Sequence, residues 1–160
     1  MRIAVHAVGR MKAGPEAELA GRYFDRLAKI GPSVGLEWAG LSETVESRAP
    51  GPGERKREEA ARLTSVLEPG SVLLLLDERG KAQGSEDLAR WIAKTRDEGC
   101  RRLVTALGGP DGHDAALRDG AGLVLSMGKL TWPHQLARVM IAEQLYRCAT
   151  ILAGHPYHRI

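Results

Sequence analysis

The sequence predicts an α/β fold with a mostly parallel sheet flanked by helices. Three observations predict it. Strand-like and helix-like segments alternate along the whole chain. The strand-like runs SVLLLLD (71–77) and RRLVTALGG (101–109) are almost continuously apolar, as strands covered on both faces are. The helix-like segments are bounded by proline, acids in the first turn and a closing glycine.

In chain order, RIAVHAVG (2–9) alternates, carries β-branched residues and stops at Gly9, so it reads as the first strand. GPEAELAGRYFDRLAKI (14–30) reads as a helix, with Pro15 in its first turn and Gly31-Pro32 past its end. VGLEWAGL (34–41) is a weaker strand. SRAPGPGERKR (47–57) reads as a loop, and the charged segment that follows becomes a helix ended by Pro69-Gly70. After the strand at 71–77, SEDLARWIAKTRDEG (85–99) is a helix with Ser85 as its expected cap. A strand at 101–109, a short helix within GHDAALRDG (112–120) and a last strand in GLVLSMG (122–128) follow. TWPHQLARVMIAEQLYRCATILAG (131–154) closes the series as a long helix.

With 160 residues, 43% of them hydrophobic and 27% charged, the chain suits one domain spanning 1–160. It has one Phe, so aliphatic side chains must fill the core. No run is long and apolar enough to cross a bilayer, the start reads as a strand and not as a secretory signal, and Cys100 and Cys148 read as reduced thiols. These features predict a cytoplasmic protein. The net charge of +3 arises entirely after residue 120, where Lys129, Arg138, Arg147 and Arg159 face Glu143 alone. His134, His155 and His158 lie in the same stretch. A local excess of this kind suits an anionic partner such as RNA, with Arg159, Arg138 and His134 as the expected contacts. The three histidines lack a supporting cysteine pair, so no metal site is expected.

Ligands of open parallel sheets bind beyond the carboxyl ends of the strands. Three such ends stand out: LLLLDERGK (73–81), LGGPDGHD (107–114) and LSMGKLTWPH (125–134). The glycine-rich second loop exposes backbone amides, yet it has neither the GxGxxG nor the P-loop spacing. A flat, mostly neutral group such as adenine suits it better than a phosphate. The last helix carries apolar residues around most of its circumference, so it needs cover on several sides. The sheet is one cover, and a second copy of the chain is the expected other.

The blocks VGRMKAGPE, LDERGK, LGGPDG and LSMGKLTWPHQLARVMIAEQLYRCATILAGHPYHR keep an order and spacing that resemble the ribosomal large subunit methyltransferase H family of the SPOUT superfamily, nearly end to end. The resemblance implies a homodimeric α/β-knot methyltransferase whose part from about residue 71 carries a trefoil knot and the cofactor site. It implies S-adenosylmethionine as methyl donor and N3 of a pseudouridine in 23S rRNA of the assembled ribosome as target. The cofactor residues it implies are Leu76, Gly108, Gly109, Gly128, Lys129, Leu130, Thr131, Trp132 and Pro133. It also implies that the tail of one subunit lies beside the donor of the other. There Arg159 would grip phosphate, Tyr157 would stack on the flipped base, and His155 or His158 would accept the N3 proton. The competing expectations are a nucleotide- or CoA-binding module without methyl transfer, a ribosome-binding factor without catalysis, and a methyltransferase of another RNA.

Overall fold

A computed structural model describes residues 1–158. Arg159 and Ile160, and with them the expected phosphate contact of Arg159, lie outside the described residues. Five strands form one parallel sheet: β1 (Arg2–Val8), β2 (Glu37–Thr44), β3 (Ser71–Ala82), β4 (Arg102–Leu107) and β5 (Leu123–Ser126), in the order β2-β1-β4-β3-β5. The helices are α1 (Pro15–Ile30), α2 (Pro52–Ser65), α3 (Ser85–Asp97), α4 (Ala115–Asp119) and α5 (His134–Leu152), and a 3₁₀ turn at Gly31–Val34 follows α1.

Successive residues of a strand face opposite sides of the sheet. Ile3, Val5 and Ala7 of β1 and Leu74 of β3 therefore enter one cluster, with Phe24 and Leu27 of α1, Ile92 of α3 and Leu145 of α5. Ala4 of β1, Leu73 and Leu75 of β3 and Val104 of β4 enter the other, with Leu63 of α2. Both faces of β3 and β4 are covered, which is why their sequences do not alternate. Each fully buried leucine contributes roughly 2 kcal/mol of transfer free energy.

Four boundaries differ from expectation for identifiable reasons. Helix α2 starts at Pro52, inside the proline- and glycine-rich stretch, because a proline without an N–H suits a first helical turn. β2 runs on to Thr44, because the end of β1 pairs with it as far as Val8↔Thr44. Ser85 does not cap α3; its hydroxyl donates to Gln144 Oε1 of α5 at 2.7 Å, tying the two helices together. β3 extends to Ala82, with an interruption. Leu76 and Lys81 both pair with Leu125, so residues 77–80 jut from the sheet. Gly80 permits this, because a Cβ there would lie 2.6 Å from the Val124 carbonyl oxygen.

Helix α5 packs against α1 and α3. A further apolar hollow of about 690 Å³ remains beside it, lined in part by Leu19, Tyr23, Val139 and Met140. Leu19 and Leu136 stay exposed on these helices.

Candidate cofactor cleft and tail

Because β4, β3 and β5 are adjacent and parallel, their carboxyl ends open side by side, and a cleft of about 260 Å³ lies between the loops that follow them. The first loop contributes Leu76 and the jutting Asp77–Arg79. The second contributes Leu107 and Gly108–Gly112. The third contributes Met127, Gly128, Leu130, Thr131 and Trp132. Of the residues expected at a cofactor, Leu76, Gly108, Gly109, Gly128, Leu130, Thr131 and Trp132 line this space. Lys129 and Pro133 belong to the same loop but are not part of the lining.

The third loop is shaped locally. Gly128 sits at φ +101°, a conformation that favours glycine. Its N–H donates to Ser126 Oγ at 3.2 Å, and Trp132 Nε1 donates to the Met127 carbonyl at 3.3 Å. Asp77 adds charge at the floor. Its side chain is almost fully buried, accepts the Arg79 N–H at 3.0 Å and lies 3.7 Å from Arg118 Nη1. Sequence reasoning did not single it out, because an aspartate after a strand reads as a turn. His113, behind the second loop, is pushed below the ordinary imidazole range, chiefly by burial and against the pull of Asp77. The walls combine leucine, methionine and tryptophan side chains with peptide edges. They suit a flat heterocycle with an aliphatic extension, and they hold no cluster of cations for a polyphosphate.

His134 and Arg138 have partners inside the fold. His134 Nε2 donates to the Val8 carbonyl at 2.9 Å. Arg138 is 3% exposed; it donates to the Val8 and Gly9 carbonyls and pairs with Glu43. Arg138 thus lashes the start of α5 to the end of β1, and its guanidinium is held by partners within the fold. His134 borders the cleft, but this ring nitrogen is committed to the backbone.

The tail folds back on its own helix. The Tyr157 hydroxyl donates to Glu143 Oε1 at 3.0 Å, and its ring lies 4.7 Å from that of Tyr146. The Arg147 guanidinium sits 4.9 Å from the Tyr157 ring and also pairs with Glu143, as the i, i+4 spacing predicts. Burial first, then hydrogen bonding to Tyr23 and Glu143, raises the Tyr157 phenol above its ordinary range. Tyr157 is therefore pinned to its own helix in this arrangement. His158 lies between Arg147 and Glu86, with Nδ1 and Nε2 each 3.4 Å from them. His155 is exposed, and its Nδ1 accepts the Tyr157 N–H at 3.1 Å.

Among the described residues no group of three or more His, Cys, Asp or Glu side chains is placed to hold a metal, and no helix is long and apolar enough to cross a membrane.

Comparison with known proteins bears on this geometry. Residues 1–158 match the family model described as predicted SPOUT methyltransferase. Proteins named "Ribosomal RNA large subunit methyltransferase H" from Mesorhizobium japonicum and Brucella anthropi are each 64% identical over 159 residues, covering 99% of this chain and 99% of theirs. Among solved structures, the SpoU methyltransferase AviRb from Streptomyces viridochromogenes, in complex with AdoMet, aligns with 92% of this chain and 59% of its own at 15% identity and a TM-score of 0.39. That overlap is loose. The match to the family model over residues 1–158 and the identity to both relatives agree: this chain belongs to the SPOUT methyltransferase family.

Proposed function

We propose that the chain is an S-adenosylmethionine-dependent methyltransferase of large-subunit rRNA, modifying N3 of a pseudouridine on the assembled ribosome in the cytoplasm. The single observation that carries this reading is the three-loop cleft at the carboxyl edge, lying within a chain that matches rRNA methyltransferases along its length. The cleft fits the cofactor. Gly108, Gly109 and Gly128, which line the cleft, would offer peptide groups to a purine edge, and Leu76, Leu130 and Trp132 would enclose its ring. S-adenosylmethionine supplies an electrophilic methyl group on a sulfonium. The residues of this chain hold it, exclude water and align it with the incoming nitrogen.

Pseudouridine N3 is an imide nitrogen that attacks well only when its proton leaves, so a base near neutral pH is required. His155 and His158 supply candidates. In this reading the active site is shared. A second copy covers the apolar hollow beside α5, and exposed Leu19 and Leu136 support that cover. The tail of one copy then reaches the cleft of the other, and Arg159 meets phosphate there. The trefoil knot is part of the same reading.

The test is labelled-methyl transfer from S-adenosylmethionine to intact ribosomes, separated subunits and naked rRNA, with mapping of the modified base. Label in assembled ribosomes at a pseudouridine N3 is expected. Ribosome binding without label would leave a binding factor only. A His158→Ala variant should lose single-turnover rate more than ribosome affinity; equal loss of both would make His158 a binding residue.

A further inference from the structure

The Gly108–Gly112 loop forms one wall of the cleft but has little side-chain mass to hold its own shape. It is held from behind. Arg55, in the first half of α2, makes a two-pronged contact with Asp111. Its Nε lies 2.6 Å from Oδ2, and its Nη2 lies 3.1 Å from Oδ1. The remaining prong, Nη1, donates to the Ala49 and Pro50 carbonyls at 3.0 and 3.2 Å. One guanidinium thus joins the segment before α2 to the cofactor loop. One helical turn further, buried Glu59 makes a parallel link. Its Oε1 accepts the Ser47 N–H at 2.9 Å, and its carboxylate fills the space behind Gly109. A Cβ on Gly109 would lie 2.8 Å from Glu59 Oε2, so the loop rests directly on this acid. Neither Arg55 nor Glu59 lines the cleft, whereas Asp111 and Gly109 both do.

We infer that Arg55 is a positioning residue for cofactor binding: through its fork on Asp111, with Glu59 as the floor beneath Gly109, it sets where the amides of the Gly108–Gly112 loop stand. The geometry explains why an arginine is used. A planar fork fixes both the distance and the angle of the aspartate, which a lysine does not. The bond also keeps the Asp111 carboxyl below its usual range, so the contact stays ionic at neutral pH. Backbone recognition depends on amides held within a few tenths of an ångström of their place, so the loop's support is part of the binding free energy.

This inference rests on the cofactor reading, and the experiment separates the two. Titration calorimetry with S-adenosylhomocysteine is run on the full chain and on Arg55→Ala, Asp111→Ala and the exchanged pair Arg55→Asp/Asp111→Arg. Each single change should weaken S-adenosylhomocysteine about tenfold, and the exchanged pair should recover most of that loss. In methyl-transfer assays of Arg55→Ala the KM for S-adenosylmethionine should rise by a similar factor, with kcat at saturating donor and the KM for ribosomes within about twofold of wild type. Arg55 and Asp111 are both partly exposed, so the variants should remain folded, which circular dichroism checks. Single variants that bind S-adenosylhomocysteine like wild type would overturn the inference, as would an exchanged pair no better than either single change. Wild-type protein that binds no S-adenosylhomocysteine would overturn the cofactor reading itself.

Discussion

Replacing Arg138 with methionine separates an internal fastening from an RNA contact. Methionine keeps much of the packing volume, so the loss reports the polar partners. Three are affected: Glu43 and the carbonyls of Val8 and Gly9. They are not equal. Val8 keeps the His134 donor, and Glu43 keeps the Met11 N–H at 2.8 Å while partly facing water. Gly9 loses its charged donor outright. Counting one full loss and two partial ones, at about 1.5 to 3 kcal/mol for a full bond to a charged group, gives a cost of about 3 kcal/mol. For a chain of this size that corresponds to a Tm lower by roughly 10 °C. The assay is thermal and urea unfolding, paired with the salt dependence of ribosome binding. The expected result is a large stability loss with an unchanged salt slope. An unchanged Tm with a slope smaller by about one phosphate contact would refute the reasoning and return Arg138 to the RNA surface.

Stability should fall with acid through two histidines. His6 is held below the ordinary imidazole range by burial and then by neighbouring His113, and His113 chiefly by burial. The unfolded chain therefore binds protons that the folded chain refuses, so stability is full above about pH 6.5 and declines below it. Urea midpoints from about pH 7.5 down to about pH 5.5 check this, and a His113→Asn variant should show a shallower decline. Cys148 should resist alkylation, because burial pushes its thiol up to about 12. Mass spectrometry after iodoacetamide treatment at about pH 8 should find Cys100 modified in the native protein, and both thiols after denaturation. A Tyr157→Phe variant loses the hydroxyl's bonds to Glu143 and Tyr23. It should slow single-turnover methylation several-fold by loosening the tail, with S-adenosylhomocysteine affinity unchanged; a matching loss of affinity would place the tyrosine at the cofactor instead.

The fold was legible in the sequence because its signals are local and periodic. Alternation, buried runs and proline–glycine punctuation marked the five strands and five α-helices of the described residues, with differences at boundaries set by a helix-starting proline, as at Pro52, or by strand pairing, as at Thr44 and Ala82. The cleft was legible for a different reason. A parallel sheet places its ligand loops at one edge whatever their detailed shape, so finding three distinctive strand ends was enough. What stayed hidden was partnership across the fold. Arg138 counted as free positive charge until β1 and β2 brought two carbonyls and Glu43 to it. Tyr157 was expected as a stacking surface, and the bond of its hydroxyl to Glu143, fourteen residues earlier, was not foreseen. Glu59 lies in a charged helical segment, yet it is buried against a glycine fifty residues later. In each case the sequence supplied the chemistry of the group and the topology decided what that chemistry is spent on. Charge counting therefore missed the internal partners of Arg138, and helix patterning missed the contacts of Arg55 and Glu59 with the second loop. Both errors share one cause: a polar side chain is free to act on a ligand only when the fold leaves it without an internal partner.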